Sequence, residues 1–192
     1  MKDRILAAAE KRFFQYGLRK VTMDEIASDL GISKKTLYKH YSGKEEMAKE
    51  VVRKFQGAIV SLLDDMKKSI PNPLERFEKL VIEVSRRRSA MCSQFPADIK
   101  TDIPDLWEEI EDFRRRQIMG HLGDILSEGV KKGLIRSDID TEIAASMYQA
   151  AVQTLLCPGE AGSEAFNVEK IFSTISTIFM NGVRKERENN LC

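Results

Sequence analysis

The chain has 192 residues, of which 42% are hydrophobic, and a formal net charge of +1 at pH 7. This is enough apolar material to bury the core of one or two globular domains. The apolar runs are too short to cross a bilayer, and Glu10 and Lys11 close the first of them before it reaches the length of a signal peptide, which predicts a cytoplasmic protein without a membrane partner.

The charges are distributed unevenly along the chain. Residues 1–54 carry 13 Lys and Arg against 8 Asp and Glu, whereas the remainder carries 18 against 22. Such asymmetry favours a polyanion-binding N-terminal part joined to a part with another role. Cys92, Cys157 and Cys192 are odd in number and far apart, which argues against a disulfide framework or a local zinc site.

The first two elements have the apolar spacing of amphipathic helices. Their stripes are Ile5, Ala9, Phe13 and Tyr16, then Met23, Ile26, Ala27 and Leu30. Gly17 and Gly31 provide the stops. Thr22 with Glu25 has the spacing of a capping box that starts the second helix.

A third, short helix is predicted after Ser33, which can cap it. It is too short to be stable alone, so Leu37 and Tyr41 must hold it against its neighbours. Ser42 with Glu45 predicts a further capping box at the start of a fourth helix.

The exposed face of the third helix is basic. At about 100° per residue, Lys35 and Lys39 point away from Leu37, with Thr36 and Tyr38 on the flanks. No acidic residue occurs between Ile32 and Lys44. A tight turn between the second and third helices completes a helix-turn-helix pattern, whose second helix reads the DNA major groove. A merely solvated lysine face is the alternative, and nucleic-acid binding is favoured over it.

These residues resemble the N-terminal domain of the TetR family of transcriptional regulators. The matching positions are Gly17, Thr22, Ile26-Ala27, Gly31-Ile32-Ser33, Thr36-Leu37-Tyr38, His40-Tyr41 and Lys44-Glu45. The resemblance implies a DNA-binding domain at residues 1–47 and a helical effector-binding and dimerisation domain at residues 48–192. It also implies an all-α fold and a small ligand that releases DNA.

The resemblance implies roles for individual residues. Thr22 would contact a phosphate through its side chain and backbone N–H, and Lys44 would bind another. Tyr41 is expected to be mostly core, and for His40 a phosphate contact and a packing role are weighed equally. The complete set of DNA-binding candidates is Thr22, Lys34, Lys35, Thr36, Tyr38, Lys39, His40, Tyr41 and Lys44.

The rest of the chain has helical periodicity throughout. A long fourth helix is predicted from residue 45 through Met66, and another begins at Pro73. Residues 91–104 are predicted to be irregular or a short helix, followed by a long helix from Pro104 that ends before Gly133.

The last two helices, predicted at residues 141–156 and 167–187 on either side of a loop at 158–164, carry wide apolar stripes. The stripes fit helices buried in their own domain. Because the resemblance places a four-helix dimer interface here, and a palindromic operator needs two reading heads, a homodimer through these helices is favoured.

A mainly apolar effector cavity is implied by the resemblance, with no cofactor or metal. The candidate lining residues, each of which also suits plain core, are Met91, Phe95, Trp107, Phe113, His121 and Met147. The chain is thus predicted to be a regulator rather than an enzyme, because no phosphate loop, metal-ligand pair or nucleophile elbow is present. The resemblance implies that repression is commoner than activation, and the residues leave both open. The alternatives are a cysteine-based redox regulator and, far behind, a helical enzyme built on His121 with Cys92 or Cys157.

Overall fold

The computed structural model describes residues 1–156 and 167–185, and in these ranges the chain is helical with a single isolated antiparallel bridge between Ile135 and Arg184. The predicted all-α class is confirmed. The described helices are α1 Lys2–Tyr16, α2 Met23–Leu30, α3 Lys34–Tyr38, α4 Lys44–Ser69, α5 Pro73–Ser89, α6 Gln94–Asp102, α7 Pro104–Phe113, a π-helical segment Arg114–Ile118, α8 Met119–Lys131, α9 Thr141–Leu156 and α10 Val168–Val183.

The chain forms two compact units. Unit 1 comprises Met1–Ser61 and Arg87–Phe113, and unit 2 comprises Leu62–Arg86 and Arg114–Cys192. This grouping differs from the division at residue 47 because α6 and α7 pack with the first three helices. Which residues bind DNA and which bind an effector is a separate question, so the functional division into 1–47 and 48–192 stays a prediction.

The core of unit 1 is built on the apolar stripes of its helices. Its fully buried members include Ile5, Phe13, Ile26, Leu37, Tyr41 and Met47. The ring of Phe95 from α6 stacks on Phe13, with centroids 5.7 Å apart. Burying side chains of this size stabilises the fold by about 1.5–3 kcal/mol each. Tyr16, predicted to extend the α1 stripe, is 45% exposed because the chain turns away at Gly17.

The turn between α2 and α3 is fixed by backbone hydrogen bonds. Gly31 adopts a left-handed conformation, and the N–H groups of Gly31 and Ile32 donate to the carbonyls of Ser28 and Ala27. This pairing is a Schellman motif. Ser33 then accepts from the N–H of Thr36, so the predicted cap of α3 is confirmed, although α3 itself spans only five residues.

The capping box predicted between Ser42 and Glu45 is wrong, because Ser42 pairs with Glu46 instead. The Ser42 N–H and hydroxyl donate to Glu46 Oε2 at 2.6 and 2.9 Å rather than to Glu45. Because α4 begins at Lys44, Glu46 and not Glu45 occupies the third helical position. The Glu46 carboxylate therefore faces the unpaired N–H groups before the helix.

Unit 2 is organised around the facing sides of α5, α8, α9 and α10. Phe77, Tyr148 and Phe179 form an aromatic cluster with centroid distances of 5.1–5.8 Å. The Tyr148 hydroxyl lies 2.9 Å from Ser176 Oγ, and burial raises the pKa of Tyr148 to about 12. The aromatic cluster therefore ties α5 to the last two helices.

The helix predicted to start at Pro104 is interrupted. Residues Pro104–Phe113 and Met119–Lys131 are α-helical, but Arg114–Ile118 between them is π-helical. Gly133, at φ +68°, follows the end of α8 as predicted. The loop predicted at residues 158–164 lies outside the described residues, and so do Cys157 and Cys192.

Acid should destabilise unit 1 through its ion-paired carboxylates. Hydrogen bonds from Arg12 and Arg19 hold the pKa values of Asp29 and Asp102 below the ordinary value of 3.8. Because the folded pKa is the lower one, this contribution to stability is complete above pH 3.8 and is lost as the pH falls through the folded values. Thermal unfolding between pH 6 and pH 2 should show a melting temperature that drops below about pH 4, and less steeply for Asp102→Asn.

Candidate nucleic-acid interface

The exposed side of α3 carries two lysines without competing carboxylates. Lys35 and Lys39 are exposed, and among residues 1–156 and 167–185 neither forms an ion pair. The buried Leu37 anchors the opposite side of the helix, and Tyr38, 46% exposed, lies beside the lysines. Free ammonium groups and a phenol hydroxyl can meet phosphates and base edges without first breaking a contact.

Lys34, the first residue of α3, differs from its neighbours. Its Nζ lies 2.8 Å from Asp24 Oδ1 at the start of α2, and both side chains are more than half exposed. The hydrogen bond to Asp24, assisted by its charge, raises the pKa of Lys34 above the ordinary value. A phosphate at Lys34 must therefore compete with this carboxylate.

Thr22 is engaged in the predicted capping box. Its N–H and hydroxyl donate to Glu25 Oε2 at 2.7 and 2.9 Å, and Oγ1 accepts from the Glu25 N–H at 3.2 Å. The Thr22 N–H, expected to meet a phosphate, is thus occupied by Glu25. The Thr36 hydroxyl, 2.9 Å from Ser33 Oγ, remains on the same exposed turn.

Three further candidates lie deeper than the α3 lysines. Tyr41 is 1% exposed, with its hydroxyl buried and unpartnered and Lys2 Nζ 5.3 Å from its ring centre, so packing is its role in this structure. Lys44 Nζ donates to the carbonyl of Leu18 at 3.0 Å. His40 is half-buried, and its backbone N–H donates to the carbonyl oxygen of Leu37.

A polar contact between the α1–α2 loop and α6 escaped sequence analysis. The Arg19 guanidinium donates twice to Asp102, at 2.5 and 2.8 Å. The Arg19 N–H donates to Asp98 Oδ2 at 2.9 Å, and Asp98 is fully buried and also accepts from Gln94. The four-residue spacing of Asp98 and Asp102 indicates a shared helix face, but their partner lies 79 and 83 residues away.

The ligand-lining candidates are divided between the two units. In unit 1, Phe95 is 1% exposed in the core, and Met91 and Trp107 pack against that core. Phe113 ends α7 and is half-buried. In unit 2, His121 lines a groove beside α4 and α5, whereas Met147 is 65% exposed in another groove between α9 and α10.

Replacing Asp24 by asparagine should raise the affinity for DNA. The substitution removes a carboxylate next to α3 and releases Lys34 from its ion pair. One added phosphate contact per chain should tighten binding by about tenfold at 0.1 M salt and steepen the salt dependence. Titration of labelled DNA by fluorescence anisotropy checks this, and an unchanged affinity would show that Lys34 stays away from phosphate.

The helix pair α2–α3, with its cationic exposed face, defines a helix-turn-helix DNA-binding protein. Residues 5–51 match the family model described as bacterial regulatory proteins, tetR family. The HTH-type transcriptional repressor KstR2 of Mycobacterium tuberculosis is 30% identical over 146 residues, which cover 74% of this chain and 72% of that protein. The chain belongs to the TetR family and is a sequence-specific DNA-binding transcriptional regulator.

Solved structures share the fold over nearly the whole chain. A putative transcriptional regulator from Saccharomonospora viridis, in complex with choline, has a TM-score of 0.77 at 20% identity and covers 96% of this chain and 98% of its own. The ketosteroid transcriptional regulator KstR2 of Mycobacterium tuberculosis has a TM-score of 0.66 at 23% identity, with coverages of 96% and 95%.

The described residues also bear on the other predicted properties. Within residues 1–156 and 167–185, no group of three His, Cys, Asp or Glu side chains is placed to hold a metal ion. Over the same residues, none of the helices has the length and apolarity to span a membrane. Cys92 is half-buried, with Sγ 3.8 Å from the Phe13 carbonyl oxygen. The relatives are described as regulators of transcription, and they give no support to the redox-sensing alternative.

Proposed function

We propose that the protein is a homodimeric repressor that leaves a palindromic operator when a small effector binds. The observation that carries the DNA-binding part is the exposed α3 face, where Lys35 and Lys39 are free of ion pairs among the described residues and Leu37 anchors the helix. Lys34, Thr36 and Tyr38 lie on the same short helix or its flanks and complete the proposed contact set. Thr22, His40 and Lys44 are proposed to contact phosphates after local rearrangement.

The proposed dimer surface lies on α9 and α10. A groove of about 600 Å³ between these helices is lined almost entirely by apolar side chains. Three apolar side chains on this groove are 62–70% exposed, namely Ile143, Met147 and Ile178. A contiguous apolar patch of this kind marks a surface that a partner covers. A second copy of the chain would cover these residues, and the dimer would present two helix-turn-helix domains to the two halves of a palindromic operator.

The proposed release mechanism uses the long helix α4, which contributes residues to both units. An effector that favours one spacing of the two α3 helices shifts the population toward that state. A 100-fold loss of operator affinity requires a coupling free energy of about 2.7 kcal/mol, within the usual range for allosteric ligands. The similar structures are described with chemically unlike molecules, a ketosteroid and choline, so the effector's chemistry must be sought in this chain.

The first experiment is fluorescence anisotropy of the full chain against the DNA upstream of its own gene, at two salt concentrations. A random duplex of the same length is the competitor. Saturable binding that resists the competitor supports the regulator, and the same assay then screens effectors. Binding lost equally to the random duplex would contradict an operator at this position.

The dimer is tested separately by analytical ultracentrifugation. Met147→Glu and Ile178→Glu place charges on the exposed apolar surface, and they should shift the protein toward monomer. Tyr16→Glu, at a residue 45% exposed on α1 in unit 1, is the control away from α9 and α10. Equal sedimentation of all three variants as dimers would place the interface elsewhere.

A further inference from the structure

A groove in unit 2 between α4, α5 and α8 is lined by apolar side chains on one part and by charged or titratable side chains on the other. Its volume is about 310 Å³, and apolar side chains line one part of it, including Leu63, Met66, Leu80 and Ile125. Charged and titratable side chains line the remainder. A groove of this kind suits a small amphipathic molecule, with an apolar body and one polar group.

Arg76, on α5, provides the strongest indication of a ligand. It is only 7% exposed, and its Nη2 is ion-paired with Glu128. Its Nε–H is buried and has no hydrogen-bond partner. Buried donors without an acceptor are rare in native proteins, so this N–H is a candidate donor to the acceptor oxygen of a ligand. Because guanidinium groups bind carboxylates through two parallel N–H donors, a carboxylate is the acceptor that fits best.

The charge balance of the groove favours a monoanion. Lys67, Arg76 and Lys131 contribute three positive charges, and Asp124 and Glu128 contribute two negative ones. Lys67 lies 3.2 Å from Asp124, so these two charges balance each other at the rim. Among the side chains that line the groove one positive charge is left, which a carboxylate neutralises. Lys132, outside the lining, also pairs with Glu128 at 2.8 Å.

His121 lines the α8 side of the groove in a fixed orientation. Its Nδ1 lies 2.7 Å from the carbonyl oxygen of Gln117, and because a carbonyl only accepts, Nδ1 carries the hydrogen. Gln117 belongs to the π-helical segment Arg114–Ile118. Such segments occur frequently at functional sites, where they change the direction in which side chains point. The hydrogen bond fixes the ring, and Nε2, which carries no hydrogen in this tautomer, is an acceptor and not a contact for an anion.

We propose that this groove binds an organic monocarboxylate with an apolar body, its carboxylate at Arg76 and Lys131. The inference deepens the proposed function, on which its regulatory meaning rests, by giving the effector a chemical class. The apolar walls contact the hydrocarbon part, and the Arg76 Nε–H gains its missing acceptor. Glu128 competes with the ligand for the same guanidinium.

The test is isothermal titration calorimetry on the full-length protein without DNA. Octanoate, 4-phenylbutyrate and cyclohexanecarboxylate are the carboxylate probes, octanol is the neutral match of the first, and octyl phosphate is its dianionic match. We expect at least one carboxylate to bind at one molecule per chain, and octanoate to bind at least about tenfold more tightly than octanol or octyl phosphate. No heat from any carboxylate at millimolar concentration would overturn the proposal.

Variants separate the site from general effects on folding. Glu128→Gln removes the competing carboxylate and should tighten carboxylate binding, a gain that unfolding cannot produce. Lys131→Gln should weaken it several-fold, and Lys79→Gln, at an exposed residue of α5 outside the groove, should leave it unchanged. Weaker binding to Glu128→Gln, or wild-type binding to Lys131→Gln, would overturn the assignment.

The operator assay keeps this inference distinct from the proposed function. Carboxylate binding that releases labelled operator DNA supports both. Carboxylate binding that leaves the operator complex intact supports the groove as a carboxylate site and contradicts release by this ligand. Operator binding without any carboxylate binding supports the regulator and overturns the groove.

Discussion

Lys39→Ala is expected to weaken operator binding by roughly 10- to 100-fold at 0.1 M salt, because each neutralised phosphate contributes about 0.9 to the slope of log K against log salt and a dimer loses two contacts. Lys39 is the C-cap residue that follows α3, is exposed, and forms no ion pair among the described residues. The measurement is fluorescence anisotropy at four or more salt concentrations. The slope should become shallower by about two, whatever the sequence of the duplex.

Lys34→Ala is the matched comparison on the same helix. Lys34 must give up Asp24 before it can bind a phosphate, so its removal should cost less affinity than the removal of Lys39. Lys79→Ala, at an exposed lysine of α5, controls for the loss of one positive charge and should have no effect on the slope. Equal losses of affinity for Lys34→Ala and Lys39→Ala would mean that the ion pair of Lys34 with Asp24 in the free protein does not reduce the contribution of Lys34 to DNA binding. An unchanged slope for Lys39→Ala would contradict the proposal that the α3 region contacts the DNA phosphates.

The exposed face of α3 could be predicted from sequence because it depends on local geometry. A helix turns by about 100° per residue, so the burial of Leu37 places Lys35 and Lys39 on the solvent side. The Lys34–Asp24 ion pair could not be predicted in the same way. It depends on how the three-residue turn after Leu30 brings the start of α2 next to the start of α3, which periodicity does not encode.

The π-helical segment left a signal that sequence analysis overlooked. On an ideal α-helix Leu122 lies about 160° around the axis from Leu106, so the two cannot share one apolar stripe. A π-helical turn takes in an extra residue and shifts the phase by about 100°. A break in phase inside a proline-free apolar pattern is thus the observation that predicts such a segment.

The ligand-lining candidates show a different limit of sequence reasoning. Choosing methionines, aromatics and His121 by residue type selected Phe95, which instead stacks on Phe13 in the core of unit 1. Arg76, which belongs to the proposed carboxylate site, is not among these candidates, because a charged residue on an amphipathic helix is ordinarily assigned to the solvent side. Its burial depends on Glu128, 52 residues later, and only the folded structure brings the two together.

Gly17→Ala is expected to lower the free energy of unfolding by about 3 kcal/mol, and the melting temperature by roughly 6–12 °C. Gly17 has φ +85° and ψ 172°, a region that is essentially restricted to glycine. An added Cβ would lie 2.9 Å from both Asp98 Oδ2 and Gln94 Cγ. Asp98 cannot move away easily, because it is fully buried and accepts hydrogen bonds from Arg19 and Gln94.

Gly31→Ala is the comparison at a positive-φ glycine without a steric contact. Gly31 also has a positive φ, +63°, but in the left-handed helical region, and an added Cβ would meet no atom within 4 Å. Its substitution should therefore cost only the backbone strain, about 1 kcal/mol. Thermal and urea unfolding followed by far-ultraviolet circular dichroism measure both variants. Equal losses at the two glycines would show that α6 yields to the new methyl group. A larger loss at Gly17 is expected from two sources, the more restricted backbone region at Gly17 and the contact of the new methyl group with the buried Asp98.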